Sequence, residues 1–272
     1  MKGVAHGVAI LVLFLVSACM SLPKTQTIKI DGLNVEYATA GHGVPTVIFE
    51  NGFGSTLDDW NKVIPEIAKG ASTFAYNRPG NGSTERSRTA RDGEHIVNEL
   101  RKTLQRLGYR PPYILVGHSL GGLYMQYYAR RYPDEVGGLI LVDSSHPTGF
   151  DGEGSWESRS LWDRMTMQIF ANASQLDEMK DAPITGQGVL SFPPFKGKPV
   201  IVLCALLPYE AKSQRAEFLN SKRHDLARLY PGSKQIWVES GHFIALDRPD
   251  AVIAAIREVL SDSASTITST HQ

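Results

Sequence analysis

A short apolar strand, Tyr113-Ile114-Leu115-Val116, runs directly into Gly117-His118-Ser119-Leu120-Gly121 and then into an amphipathic helical stretch over residues 120–132. Few folds can accommodate that succession. A serine can turn the chain from strand to helix in one sharp step only where its neighbours are small, and the turn lifts the hydroxyl clear of the sheet. A Gly-rich connector with a helix-capping serine would carry the same letters. The strand before and the helix after favour a nucleophile-bearing turn, with the positive end of the helix beside Ser119.

The remaining chain supplies the sheet that such a turn needs. Residues 27–30 and 35–38 alternate around Asp31-Gly32 and predict a hairpin. Short apolar strands are predicted at 46–49, 72–76, 113–116, 136–142, 200–203 and 235–238, and helices at 57–69, 95–107, 120–132 and 211–230. Strands alternating with helices make an α/β fold: a mainly parallel sheet with helices on both faces, one edge antiparallel because of the hairpin. Residues 146–198 break the rhythm and contain Trp156, Trp162, Met165, Met167, Ile169 and Phe170. They predict a partly helical cap inserted after the sixth strand, over the carboxyl edge where such sheets bind ligands. A peripheral helix packing its own apolar stripe elsewhere is the alternative. Residues 261–272, rich in Ser and Thr, predict a frayed, disordered tail, which leaves one domain over 27–260.

With these elements in place the chain resembles the α/β-hydrolase superfamily, in its cofactor-independent, esterase-like branch. The resemblance rests on Asn51-Gly52-Phe53-Gly54, on Tyr76-Asn77-Arg78-Pro79-Gly80, on the Ser119 turn and on Gly241-His242, and it spans residues 27–260. Many members have His where this chain has Asn51 and Asp where it has Asn77; neither is needed for acyl chemistry. The resemblance implies that His242, on the loop after the last strand, is the base that activates Ser119. It also implies that the backbone amides of Phe53 and Leu120 form the oxyanion hole.

The acid that orients the histidine is less plain. Family members commonly carry it after the seventh strand, where this chain reads Ala205-Leu206-Leu207-Pro208, and the first carboxylate beyond is Glu210. The other position known in the superfamily is the end of the sixth strand, here Asp143. Asp143 is preferred, because it ends a parallel strand at the same sheet edge as Ser119 and keeps the chain order Ser, Asp, His. Glu210 is the alternative acid. A strand-end aspartate that only stabilises its turn is the plainer reading of Asp143.

The amino terminus carries a different signal. Lys2 and His6 precede an apolar run over residues 7–16, then Ser17, Ala18 and Cys19. That pattern describes a secretory leader, with a run too short for a comfortable membrane span. Val16-Ser17-Ala18-Cys19 also resembles a bacterial lipobox. The resemblance implies a signal peptide over 1–18, lipidation of Cys19, a tether over 19–26 and a lipid-anchored protein of the cell envelope, facing the periplasm from the outer membrane where the organism has one. A plain signal peptide with an incidental cysteine is the alternative.

Lys plus Arg and Asp plus Glu are equal at 28 each, with no block of like charge, which argues against nucleic-acid partners. No pair among the eight histidines has metal-site spacing, so no metal is expected, and the resemblance to a cofactor-independent branch implies no cofactor. The expected activity is hydrolysis of carboxylic esters of small or medium apolar substrates through an acyl-enzyme on Ser119. The alternatives are the same triad used for C–C, amide or perhydrolysis chemistry, or a non-catalytic binding protein on a hydrolase scaffold.

Overall fold

A computed structural model describes residues 22–207 and 213–269. The leader, Cys19 and Glu210 lie outside the described residues.

The chain opens with β1 (Gln26–Ile30) and β2 (Leu33–Ala40), which pair antiparallel around the turn at Asp31 and Gly32. Then follow β3 (Thr46–Glu50), α1 (Ile64–Ile67), β4 (Ser72–Tyr76), α2 (Gly93–Arg106), β5 (Tyr113–His118), α3 (Leu120–Arg131) and β6 (Val136–Val142). The insertion supplies α4 (Leu161–Phe170) and α5 (Ala173–Ser191). The chain closes with β7 (Val200–Ala205), α6 (Gln214–Asp225), β8 (Lys234–Val238), α7 (Ile244–Asp247) and α8 (Pro249–Ser269).

The eight strands form one sheet in the order β1-β2-β4-β3-β5-β6-β7-β8. β2 runs antiparallel to β4, and every pairing from β4 to β8 is parallel. Side chains alternate across a strand, so each parallel strand feeds both faces. Ile48, Leu115, Leu139, Leu141 and Val202 enter one core, which α2 and α3 cover with Leu100, Leu104 and Leu123. Val47, Phe49, Ile114, Val116, Ile140 and Leu203 enter the other, covered by Ile64 and Ile67 of α1 and by Val252, Ile256 and Val259 of α8. Parallel pairing also brings the carboxyl ends of β3 to β8 to one edge, and the site is built there.

Three local expectations differ from the structure. Residues 57–69 do not form one helix: a 3-10 turn at Leu57–Trp60 is followed by the short α1, with Pro65 near its start. Proline has no N–H to donate back along a continuous helix, so the segment breaks there. The frayed tail expected from residue 261 is not observed as far as the described residues reach. α8 continues to Ser269, and Ser263 is buried, with its Oγ 2.7 Å from Val259 O and 3.0 Å from Gly137 O.

The insertion is split in behaviour. α5 packs on α3 and buries Met179, Ala182 and Val189. Its close approach to the segment after β6 requires Gly186, where a Cβ would stand 1.9 Å from Pro147 O. In α4 no residue is buried, and Trp162, Met165, Ile169 and Phe170 are exposed instead of facing the sheet.

Candidate active site

Ser119 sits between β5 and α3 at φ 52°, ψ −121°, a left-handed conformation that a residue with a Cβ rarely adopts. Its surroundings impose it. Ser119 N donates to Val142 O at 3.1 Å, and Ser145 N donates to Ser119 O at 2.9 Å, so the turn is tied to the end of β6 from both sides. The flanking glycines are equally constrained: a Cβ on Gly117 would lie 2.6 Å from Gly122 Cα, and one on Gly122 would lie 2.4 Å from Ser144 Cβ.

Asp143 follows β6 directly and is also left-handed, at φ 40°. Its amide donates to Leu203 O at 2.7 Å. Its Oδ1 accepts from Ala205 N at 2.9 Å and from Arg223 Nε at 3.0 Å. The remaining oxygen, Oδ2, is 2.6 Å from His242 Nδ1, and His242 Nε2 is 3.0 Å from Ser119 Oγ. The structure therefore brings Asp143, His242 and Ser119 into one line. A carboxylate accepts only, so Nδ1 carries the proton and Nε2 is left to accept from the serine hydroxyl. Burial tends to raise the Asp143 pKa, but the hydrogen bond from His242, the charge of Arg223 and the hydrogen bond from the Ala205 amide outweigh it and hold the carboxyl below its ordinary value.

The loop bearing His242 has its own support. His118 Nε2 lies 2.9 Å from His242 O, and because a carbonyl can only accept, that nitrogen carries a proton. Burial keeps the second nitrogen unprotonated, lowering the His118 pKa to about 4, with the neighbouring His242 adding to the effect. Phe243 packs against both rings. Leu206 N and Leu207 N donate to Val238 O and Ser240 O, joining the loop after β7 to the loop after β8.

Phe53 and Leu120 line the same small cavity as Ser119, about 130 Å³ in volume, together with His146, Phe150, Met179 and Leu219. Leu120 opens α3, where an amide has no acceptor within the helix. His146 accepts at Nδ1 from Thr148 N at 3.1 Å, and burial, aided by the charge of Lys222, lowers its pKa to about 4. A larger cavity, about 900 Å³, lies beside the β1–β2 turn and α2 and contains none of the aligned residues. Among the described residues no group of three His, Cys, Asp or Glu is placed to hold a metal ion, and no helix is long and apolar enough to cross a membrane.

The two asparagines that depart from the family pattern both bridge elements. Asn51 Nδ2 donates to Tyr76 O at 2.8 Å, and its Oδ1 accepts from Trp60 Nε1 at 2.8 Å. Asn77 Oδ1 accepts from Leu57 N at 2.8 Å, and its Nδ2 donates to Glu36 Oε2 at 2.7 Å.

Sequence reasoning missed Arg223, His118 in its supporting role, and the buried group Glu50, Arg78 and Glu178. Arg78 alone had a local signal, its place in the loop after β4. The partners of these residues lie tens of residues away along the chain, and only the fold brings them together.

Comparison with known proteins bears on the fold. Residues 45–181 match a family model described as alpha/beta hydrolase fold. The uncharacterized protein YqjL of Bacillus subtilis (strain 168) is 30% identical over 122 residues, covering 45% of this chain and 48% of YqjL. The bifunctional esterase/perhydrolase DCH of Acinetobacter calcoaceticus is 27% identical over 150 residues, covering 53% of this chain and 54% of DCH. The chain thus spans about half the length of these curated relatives. An alpha/beta hydrolase fold protein from Chitinophaga pinensis superposes with a TM-score of 0.63 at 18% identity, covering 89% of this chain and 98% of that one.

Proposed function

The chain belongs to the α/β-hydrolase family, and from that premise we propose that it is a serine hydrolase that cleaves carboxylic esters of small or medium apolar substrates. The observation that carries this reading is the line Asp143 Oδ2–His242 Nδ1–His242 Nε2–Ser119 Oγ, at 2.6 and 3.0 Å.

In this mechanism Ser119 Oγ attacks the ester carbonyl while His242 Nε2 takes its proton. The Phe53 and Leu120 amides stabilise the tetrahedral oxyanion. His242 then protonates the departing alcohol, leaving Ser119 acylated. A water molecule, deprotonated by the same nitrogen, releases the acid and restores the hydroxyl. Asp143 stays ionised throughout and stabilises the imidazolium. The cavity of about 130 Å³ beside Ser119 suits a short acyl group better than a long chain.

A fluorophosphonate probe and a panel of 4-nitrophenyl esters of increasing acyl length test the proposal. Labelling that disappears in Ser119→Ala, with turnover greatest on the shortest esters, is the expected result. An unlabelled wild-type protein would leave only the binding-protein reading. Similarity to an esterase/perhydrolase adds one further reaction to the panel, interception of the acyl-enzyme by hydrogen peroxide.

Attachment to the cell envelope through a lipid on Cys19 belongs to the same proposal and rests on Val16-Ser17-Ala18-Cys19 after the apolar run. Lipid-precursor labelling that depends on Cys19 supports it; unlabelled, freely released protein refutes it.

A further inference from the structure

Arg78 stands just past β4 with its side chain wholly buried, and all three of its nitrogens are engaged. Nη1 donates to Glu50 Oε1 and to Asn51 O, each at 2.6 Å. Nη2 donates to Gly52 O and to Glu178 Oε2, each at 2.9 Å. Nε donates to Glu178 Oε1 at 2.8 Å. One guanidinium thus grips the end of β3, two successive carbonyls of the loop beyond it, and a carboxylate of α5.

The carbonyl contacts bear on the chemistry. A peptide unit is planar and trans, so its C=O and N–H point in opposite directions. Arg78 holds the carbonyl of Gly52 inward, and the other end of that peptide is the amide of Phe53, which must point away from Arg78. The loop passes directly over the nucleophile: a Cβ on Gly52 would lie 3.4 Å from Ser119 Cβ and 2.9 Å from His118 Nδ1. Among the described residues no acceptor is bonded to the Phe53 amide. A buried ion pair is weak evidence of stabilisation in itself, since apolar residues of similar volume often serve a core as well. What an apolar replacement cannot do is fix two carbonyl directions.

Glu178 is one member of a polar stripe along α5 that reads the segment after β4. Asn172 Nδ2 donates to Gly80 O and Gln175 Nε2 to Asn81 Oδ1, both at 2.7 Å. Asp181 Oδ2 accepts from Arg91 N and Thr185 Oγ1 from Gly93 N, both at 2.8 Å. Positions 172, 175, 178, 181 and 185 recur every three or four residues, on one face of the helix.

We propose that Arg78 is a positioning residue that aims the Phe53 amide at the oxyanion, and that Glu178 holds it in place, so that the oxyanion hole is complete only with α5 docked. The proposal rests on the serine-hydrolase reading above.

The test compares Arg78→Lys and Glu178→Gln with wild type on 4-nitrophenyl acetate and on its thionoester, with rates expressed per Ser119 titrated by fluorophosphonate. A lysine cannot reach both carbonyls and both carboxylates; a glutamine offers the guanidinium an N–H where it needs an acceptor. Sulfur accepts hydrogen bonds poorly, so a thionoester gains little from the oxyanion amides. Arg78→Lys is expected to lower kcat on the oxygen ester by about 10²-fold, with KM within about two-fold, and to slow the thionoester by less than about 10-fold. Glu178→Gln should follow the same pattern with a smaller loss.

Equal losses on the two substrates, an effect on KM alone, or an effect confined to melting temperature overturns the proposal. If Arg78→Lys does not fold, Glu178→Gln carries the comparison; if neither gives titratable enzyme, the network serves folding only and the proposal fails. Wild-type protein that does not label at Ser119 is a separate outcome, which removes the hydrolase reading and this inference with it.

Discussion

Arg223 and His242 share the Asp143 carboxylate, one on each oxygen: Arg223 Nε is 3.0 Å from Oδ1 and His242 Nδ1 is 2.6 Å from Oδ2. Arg223 also donates to Ala205 O, and Ala205 N returns a bond to Oδ1. One oxygen is therefore bound to the end of β7 and to α6, and the carboxylate cannot rotate away from the histidine. The last residue of the seventh strand thus helps to hold the carboxylate that follows β6.

Asp143→Asn should leave the fold intact and lower kcat by about 10⁴-fold, because the amide favours the wrong histidine tautomer and cannot balance the imidazolium. Arg223→Gln should fall between that variant and wild type, since the carboxylate remains but loses one restraint. Steady-state kinetics on a short 4-nitrophenyl ester measures both. A fully active Asp143→Asn would return the question of the acid to Glu210.

Stability should fall as pH drops below about 6.5. His118 and His146 both titrate near 4 in the folded chain, against 6.5 for an unburied histidine, chiefly because burial disfavours the imidazolium. Between those values the unfolded chain takes up protons that the folded chain refuses, so the contribution is complete above the higher value and lost progressively toward the lower. The limit is about 3 kcal/mol for each histidine. Urea midpoints from about pH 7 down to about pH 4.5 should show the decline, and His118→Gln should make it shallower. A profile flat over that interval would contradict the burial of neutral histidines.

How far the sequence revealed this arrangement depended on whether the signal was local. Ser119 was legible because strand, small residues and helix adjoin in a few positions. Asp143 was legible because an acid at the end of an apolar parallel strand has to lie at the carboxyl edge. The helix expected over 57–69 failed at Pro65, where apolar periodicity outweighed one missing donor in the reading but not in the fold. Trp162, Ile169 and Phe170 have the composition of a cap interior, and apolar character does not say which surface a residue faces. Arg78 and Glu178 meet across a hundred positions, and nothing beside either residue announces the other.

Exposure of α4 predicts an unusual tolerance. Trp162→Ser and Phe170→Ser remove large apolar side chains that are 78% and 82% exposed, so each should change stability by no more than about 0.5 kcal/mol. Met179→Ala, on the docked helix α5 and only 8% exposed, should cost about 2 kcal/mol or more. Urea unfolding of the three variants makes the comparison. A large loss from either α4 substitution would mean that α4 is packed in solution.

Gly121→Ala should impair catalysis more than folding. A Cβ there would stand 2.3 Å from Asn51 O and 2.6 Å from Glu50 O, both backbone atoms that cannot swing aside as a side chain would. Either the start of α3 or the loop after β3 must move. The first carries the Leu120 amide and the second the Phe53 amide, so the two amides of the proposed oxyanion hole separate whichever yields. A displacement of about 1 Å can lower turnover by about 10²-fold, whereas overpacking of this kind costs about 1–3 kcal/mol in stability. Gly70→Ala is the control, because nothing lies within 4 Å of the added atom, and it should be neutral in both measurements. Rates per titrated Ser119 separate the two effects. An unchanged rate in Gly121→Ala would show that the distance between α3 and the β3 loop does not govern the reaction.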